Sequence, residues 1–427
     1  MPLALSFTTL AVLAIFLFYL SYASRTYLYS YISLRQSRAS GDPPPGENDW
    51  VTVLLPVYNE PAVIMNRLLK ACTCFNYDRY DVLVADDSDS PETLSVLEDW
   101  KHHQRVSVIR RQSRNGFKAG ALQNAIAQLG PRTTHLLIFD ADFLPGPGVL
   151  ANLLSSFEDD RTAAVQGHQS HSLNAGQNWI TKAVHAAAAA GFTTDLSARG
   201  RLGSFIQLGG TVMMLRRDIL DAVGGFKPHL TEDFELTLRL YLAGHKILYR
   251  EDLSVPAECP SRLTNVIRQT YRWSVGTTAC FTQYARLILM SHRLSKREKL
   301  DMFLFGTFYF HAALFLAANI ISITTILQGP PTGYTLSSAW PILLYLTLSG
   351  PTSAAAGLYK DSSLRRSPWI LYTIILAYIA APVQAYGSLK GLFSGKSYWH
   401  RTPKTGIITD NSRLPKYHDS QESFGGG

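Results

Sequence analysis

Residues 1–24, 302–359 and 367–389 contain no Asp, Glu, Lys or Arg. No other feature of this 427-residue chain restricts its fold as strongly. Twenty apolar residues in a helix rise about 30 Å, the thickness of a bilayer's hydrocarbon core. Residues 3–22 are therefore expected to form a spanning helix. Their length, and the lack of a basic segment ahead of them, favour an uncleaved anchor over a signal peptide. Residues 302–359 have room for two spans divided by the turn-rich 328-QGPPTG-333, and residues 368–389 for another. Residues 25–301 read as a water-soluble domain. Only 17% of the whole chain is charged, against about 25% in soluble proteins, which excludes a disordered or acidic-tail protein.

The net charge of +8 matters through its placement. Arg25, Arg35 and Arg38 follow the first apolar stretch, and Arg286, Arg293, Lys296, Arg297 and Lys299 precede the second. Under the positive-inside rule these clusters predict a multi-pass integral membrane protein whose soluble domain is cytoplasmic. A bilayer with anionic headgroups suits them, and nucleic acid is not needed to explain them. Cys72, Cys74, Cys259 and Cys280 are too few for a disulfide scaffold and lack zinc-finger spacing, which is consistent with a reduced compartment. The expected organisation is an N-terminal transmembrane helix (1–24), a linker (25–49) holding 40-SGDPPPGEN-48, the soluble domain (50–260), interfacial amphipathic helices (261–300), a C-terminal transmembrane region (301–393) and a tail (394–427). The final 418-HDSQESFGGG-427 reads as disordered.

Inside the soluble domain, short β-rich runs at 51–55, 81–85, 106–109 and 135–139 alternate with helical patterns at 62–72, 92–100 and 118–128. That rhythm predicts an α/β fold, a Rossmann-like, mostly parallel sheet. Ligands bind such sheets beyond the carboxyl ends of the strands. Asp86 and Asp87 fall at one such end and Asp140-Ala141-Asp142 at another. In an extended segment Asp140 and Asp142 point the same way, which suits one hard cation. Neither GxGxxG nor GxxxxGKS occurs, which removes the usual signatures of dinucleotide oxidoreductases and P-loop NTPases.

A D-x-D alone is a weak signal, because aspartate is also a turn former. Two further groups accompany it. Thr231-Glu232-Asp233 opens a helical run, 234–243, where capping is the competing explanation. Gln269, Arg272 and Trp273 share a helix face, placing an amide, a guanidinium and an indole together. Arginine suits bidentate phosphate binding, and an indole packs on the apolar face of a sugar ring. A snorkelling base and an interfacial Trp is the alternative there. His168 and His171 have H-x-x-H spacing but no evident third zinc ligand. The alanine-rich 185-HAAAAAGF-192 is expected in an amphipathic helix on the membrane.

The ordered set 56-PVYNE-60, Asp86-Asp87, Asp140-x-Asp142, Thr231-Glu-Asp233 and Gln269-x-x-Arg272-Trp273 resembles glycosyltransferase family two. The likeness is to its processive, membrane-embedded branch: cellulose synthase, cellulose-synthase-like mannan and glucomannan synthases, chitin synthase and hyaluronan synthase. It spans about residues 51–297 and includes 115-NGFKAGALQNA-125 and 209-GGTVMMLRR-217. The resemblance implies a GT-A domain at 50–260. It implies that Pro56, Tyr58, Glu60, Asp86, Asp87 and Lys118 bind the nucleotide-sugar donor, with Asp140, Gln269 and Arg272 beside its diphosphate. Asp140 and Asp142 would bind Mg²⁺ or Mn²⁺. Asp233 would be the general base, and Gly209, Gly210, Thr211, Glu232 and Trp273 would form the acceptor side.

A single base on the face opposite the leaving group implies inversion, hence a β-linked glycan from an α-linked UDP- or GDP-sugar. The partners implied are the donor, the growing glycan and the lipid bilayer, with export coupled to synthesis. No accessory export subunit is identifiable. The runner-up is a non-processive polyprenyl-phosphate glycosyltransferase, which would not need Gln-x-x-Arg-Trp. An inactive sugar-nucleotide-binding scaffold fits less well, because every acidic motif is retained. One span before the domain and three after it would put the tail outside. Yet the tail carries Lys396, His400, Arg401 and Lys404, and 399-WHRTPKTG-406 resembles a cytosolic closing segment of relatives. A hidden fourth segment, a re-entrant one or a truly external tail would each resolve the parity.

Overall fold

A computed structural model describes residues 7–35, 49–327, 336–361, 366–394 and 401–417. The linker at 40–48, the turn at 328–333, the tail at 418–427, and Lys396, Trp399 and His400 lie outside the described residues.

The alternation read from the sequence builds the first half of a seven-stranded sheet. Strands β1 (Val51–Val57), β2 (Tyr80–Asp86), β3 (Val106–Arg110) and β4 (His135–Ile138) alternate with α2 (Ala62–Cys72), α3 (Pro91–Trp100) and α4 (Phe117–Ala127). These strands are mutually parallel where they pair. Their aliphatic runs are buried because helices cover both faces of the sheet. Three strands that periodicity did not reveal complete it: β5 (Thr162–Ser170), β6 (Met213–Arg216) and β7 (Lys246–Pro256), in the order β3-β2-β1-β4-β6-β5-β7, with the short helices α5 (Val149–Leu154), α7 (Ser197–Arg201) and α8 (Arg217–Ala222) among their connections. The exception to the parallel arrangement is β6, antiparallel to both β4 and β5. The expected α/β, mostly parallel architecture is what the chain adopts. Leu54, Leu122, Leu136 and Phe205 lie in the core under one face, and Val53, Leu69, Phe139 and Val212 under the other.

Register sets the working rim. Pro56 and Val57 stand opposite Ala85 and Asp86, so the loops leaving β1 and β2 run side by side. Helix α9 (Glu232–Ala243) then delivers its first turn to the same region, and the 28-residue α10 (Leu263–Met290) packs on it.

Helix α1 (Phe7–Leu34) is longer than the expected anchor. Its Arg25 and Tyr29 reach the buried Asp301 of α11 (Lys296–Gly306). Among the described residues one helix, α14 (Trp369–Phe393), is long and apolar enough by itself to cross a membrane. Helix α11 and the start of α12 (Phe310–Leu327) qualify only as a pair, bent by 60°. Helix α13 (Leu336–Lys360) returns to the domain, where Lys360 pairs with Glu251. The alanine-rich α6 (Trp179–Ala189), followed by a π-helical turn at 190–196, is covered by protein rather than left as a free amphipathic surface. Ala186 and Ala189 pack against Leu358, Trp369 and Ile370.

The described tail, 401–417, packs on the strand-end rim. Lys404 bonds Asp142 at 2.6 Å, and Thr409 N donates to Leu173 O at 2.7 Å. These contacts rule out a tail on the far side of a membrane from the strand-end rim. Helix α14 runs alongside both α6 and α10.

Candidate active site

The β1 and β2 ends are fastened to one another through Asn59, which adopts a left-handed φ of 52°. Its amide oxygen accepts from Asp89 N and Ser90 N, each at 2.9 Å, and its backbone N donates to Ser88 Oγ at 2.8 Å. Asp86 is buried, with Oδ1 accepting from Ser88 N at 2.9 Å and Arg110 Nε 3.2 Å from Oδ2. Arg111 grips Asp87 with two bonds of 2.7 and 2.6 Å. Arg114 lies 3.3 Å from the centroid of the Tyr58 ring. Pro56, Tyr58, Asp86 and Asp87 therefore stand together at the ends of β1 and β2, with three arginines beside them. Glu60 is nearly buried, and desolvation outweighs the opposing fields of Arg401 and Lys404 to raise its carboxyl to about 7.

Lys118 joins this recess to the next group. Its Nζ donates to Asp140 Oδ1 at 2.6 Å and to Gly210 O at 2.7 Å. Burial lowers its affinity for a proton, but Asp140, Glu232 and Asp233 more than offset this and keep the ammonium. Asp140 N donates to Thr211 Oγ1 at 2.9 Å. Loop 209–212 is strained: Val212 has φ 50°, a conformation β-branched residues avoid. It is held by Gln166, whose Nε2 donates to Thr211 O, and by Gln169, whose Nε2 donates to Gly209 O and Thr211 O. Gly210 has φ 75°, and a Cβ there would sit 3.0 Å from Asp233 Oδ2.

Asp142 is 5% exposed. Its Oδ2 accepts from Lys404, while Oδ1 is buried with no hydrogen-bond partner. A buried carboxylate oxygen left over beside a second aspartate fits a hard divalent cation. Among the described residues no three His, Cys, Asp or Glu converge on one point as a ready metal cage. The donor set suits a hard cation such as Mg²⁺ or Mn²⁺, which the two carboxylates would hold.

Glu232 and Asp233 open α9. Thr231 makes no side-chain cap bond, while Asp233 Oδ1 accepts from the adjacent Phe234 N at 2.8 Å. Burial raises both carboxyls above their usual range, the mutual charge raising Glu232 further, against the fields of Lys118 and Arg272. Helix α10 is brought against them by Gly276, where a Cβ would meet Thr231 Cγ2 at 2.7 Å. Tyr284 donates to Glu235 at 2.5 Å and ties the two helices together. Gln269 and Arg272 are half-buried on this α10 face, and Trp273 is 41% exposed.

The tail residues are the largest omission of the sequence-based site. Arg401 donates to Tyr58 O and Asn59 O and lies 3.3 Å from Glu60. The buried Glu258 accepts from Thr405 N and Oγ1 and from Gly406 N, at 2.9–3.0 Å. The basic cluster in 399-WHRTPKTG-406 was the available signal.

The family described as "Glycosyltransferase like family 2" matches residues 45–276. The chain is 26% identical over 395 residues to "Probable glucomannan 4-beta-mannosyltransferase 11" of Arabidopsis thaliana, covering 88% of this chain and 85% of that protein. It is 25% identical over 385 residues to "Probable glucomannan 4-beta-mannosyltransferase 7" of Oryza sativa subsp. japonica, covering 87% of this chain and 64% of that one. A mannosyltransferase from Pyrobaculum calidifontis, solved in complex with GDP-Man and Mn²⁺, shares the fold at a TM-score of 0.59 and 19% identity, over 90% of this chain and 97% of that one.

Proposed function

The chain belongs to glycosyltransferase family 2 and is a hexosyltransferase, and from that premise we propose that it adds a hexose, mannose in the first instance, from a nucleotide sugar to the end of a β-linked glycan at a membrane. The mannosyltransferase names of its relatives support mannose. The observation that carries the reading is the division of carboxylates across Gly210. Asp140 and Asp142 are countered by lysines, while Asp233 is half-buried and proton-attracting only a side chain away.

In this reading Pro56, Tyr58, Glu60, Asp86 and Asp87 hold the nucleoside, and Lys118, Gln269 and Arg272 hold the diphosphate. Arg272 and Lys118 stabilise the charge that develops as the sugar leaves. Asp140 and Asp142 hold the divalent cation, which when bound neutralises the diphosphate leaving group. Glu232, Trp273 and the backbone of Gly209, Gly210 and Thr211 orient the acceptor. Asp233 takes the proton from the attacking hydroxyl on the face opposite the leaving group, which inverts the anomeric centre. Such a base contributes about 10²–10⁴-fold. The soluble domain is cytoplasmic, and the product leaves through the membrane helices. The organisation into domains at 50–260, 261–300 and 301–393 accompanies this proposal.

The test is a panel of labelled nucleotide sugars supplied to membranes containing the full chain. Transfer from GDP-mannose into an alkali-stable β-linked polymer supports the reading. A lipid-linked monosaccharide overturns the polymer assignment, and incorporation only from another hexose overturns mannose.

A further inference from the structure

Strand β5 sets two buried glutamines against loop 209–212. Gln166 is fully buried and stands opposite Met213, the first residue of β6, where the loop enters the sheet. Its Oε1 accepts from Gly209 N at 2.8 Å. Its Nε2 shares two hydrogens among Gly167 O, Thr211 O and Val212 O, at 2.8, 3.0 and 3.2 Å. Gln169 Nε2 donates to Gly209 O at 3.2 Å and to Thr211 O at 3.1 Å. Side-chain amides thus grip the loop at both its ends. What they grip is strained, since Gly210 and Val212 both have positive φ. Val212 fits there because position 167 is glycine: a Cβ on it would meet Val212 Cγ1 at 2.7 Å. Such a backbone persists only where its surroundings over-determine it.

The same loop is bonded to both carboxylate groups of the site. Just before it, Leu208 N donates to Thr237 Oγ1 at 3.0 Å, and Thr237 Oγ1 donates to Asp233 O at 2.7 Å. Within it, Thr211 Oγ1 accepts from Asp140 N at 2.9 Å. Between these points Gly210 O accepts from Lys118, and a Cβ on Gly210 would stand 3.0 Å from Asp233 Oδ2. The loop is therefore a hydrogen-bonded spacer that runs from the backbone of Asp140 to the backbone of Asp233. Its shape sets how far apart the two aspartates stand.

We propose that Gln166, assisted by Gln169, is a positioning residue for glycosyl transfer: by bracing loop 209–212 in its strained shape it fixes the separation between Asp140 and Asp233. This rests on the reading of Asp233 as the base and of Asp140 as a donor-side ligand. Neither glutamine touches the substrate; both act through the loop. Without their amides the loop is free to relax to an ordinary backbone, which shifts Asp233 relative to the donor. A displacement of about 1 Å costs up to about 10²-fold in rate. Binding of the donor nucleotide uses groups on one side of the spacer and is retained.

The experiment uses the purified full chain in detergent, with GDP-mannose as donor and mannotetraose as acceptor. Methionine keeps the length of the side chain and removes its amide. Transfer kcat, and the affinity and stoichiometry of GDP binding with Mn²⁺, are measured for wild type, Gln166→Met and Gln169→Met, each also combined with Asp233→Asn. In Gln166→Met kcat should fall about 10–10²-fold, and in Gln169→Met by less, while GDP binding stays within about twofold of wild type in both. Beside Asp233→Asn the same substitutions should cost less than about twofold, because no base remains to be placed. An unchanged kcat in both glutamine variants overturns the proposal. Equal fold-losses with and without Asp233→Asn assign a general structural role and overturn it, as does a fall in kcat matched by a fall in GDP stoichiometry. If Gln166→Met does not fold, Gln169→Met is judged by the same criteria. A wild-type kcat in Asp233→Asn, or a wild-type protein that transfers nothing, overturns the functional reading itself, and this inference with it.

Discussion

The two sides of the strand-end rim treat their carboxylates in opposite ways. On the side assigned to the donor, four aspartates each face a cation: Asp86 faces Arg110, Asp87 faces Arg111, Asp140 faces Lys118 and Asp142 faces Lys404. On the side assigned to the acceptor, Glu232 is buried and Asp233 half-buried, and both feel Lys118 and Arg272 only as weaker counterweights to desolvation. The first arrangement sets each aspartate against a positive charge, the kind of partner a divalent cation would also be. The second favours the protonated form, as suits a group that will accept a proton from a weakly acidic hydroxyl. One loop, 209–212, separates the two, and Lys118 contacts it while facing both.

Removing the divalent cation tests the first side most severely. Chelation of membranes should abolish transfer, and added Mg²⁺ or Mn²⁺ should restore it. Asp142→Asn should raise the donor KM by tenfold or more, because it removes one of only two protein ligands, each needed at about this level. Full activity after chelation would erase the distinction between the two sides.

Asp233→Asn tests the second. The amide keeps the shape but accepts no proton, so kcat should fall about 10²–10⁴-fold with donor affinity retained. The raised carboxyl has a further consequence. Its ionised form is the active one and is lost as pH falls through the elevated value. Transfer by wild type should therefore decline on the acid side at a pH above the ordinary aspartate value of about 3.9. An acid limb at or below that value, measured as kcat with saturating donor, would contradict the burial argument.

The smallest effect expected is at the outer edge. Trp273→Ala should shorten the polymer and weaken acceptor use by up to about tenfold, the size of an aromatic contact of 0.5–1.5 kcal/mol, while donor hydrolysis persists. Arg272→Ala should damage both activities, since its charge faces the diphosphate as well as Asp233. Equal losses in both assays for Trp273→Ala would move the indole out of the acceptor side.

Four strands and three helices of the first half were legible because each is a local apolar run or amphipathic repeat bounded by turn residues. β5, β6 and β7 were not. β5 carries Gln166, His168, Gln169 and Ser170, which are buried by the 209–212 loop and by α6, so its sequence lacks the apolar signature of its position. The acidic residues of the site could be named in advance, since Asp86, Asp140 and Asp233 stand in short motifs at the ends of elements. The tail could not be placed in the same way. Arg401 and Lys404 approach Glu60 and Asp142 from more than 250 residues away in sequence, and parity of apolar segments pointed to the wrong face as readily as to the right one.

What the sequence determined by itself is the α/β rhythm, the acidic clusters at strand and helix ends, and the charge-free stretches that flank them. These are short-range properties: periodicity, composition and spacing within a few residues. The tertiary structure decided which carboxylates are countered and which are left proton-attracting, because that depends on cations and apolar walls brought in by distant segments. It also decided that the tail closes over the strand-end rim at Glu60 and Asp142. Desolvation and charge pairing act through space, and a linear motif records only one partner of each pair.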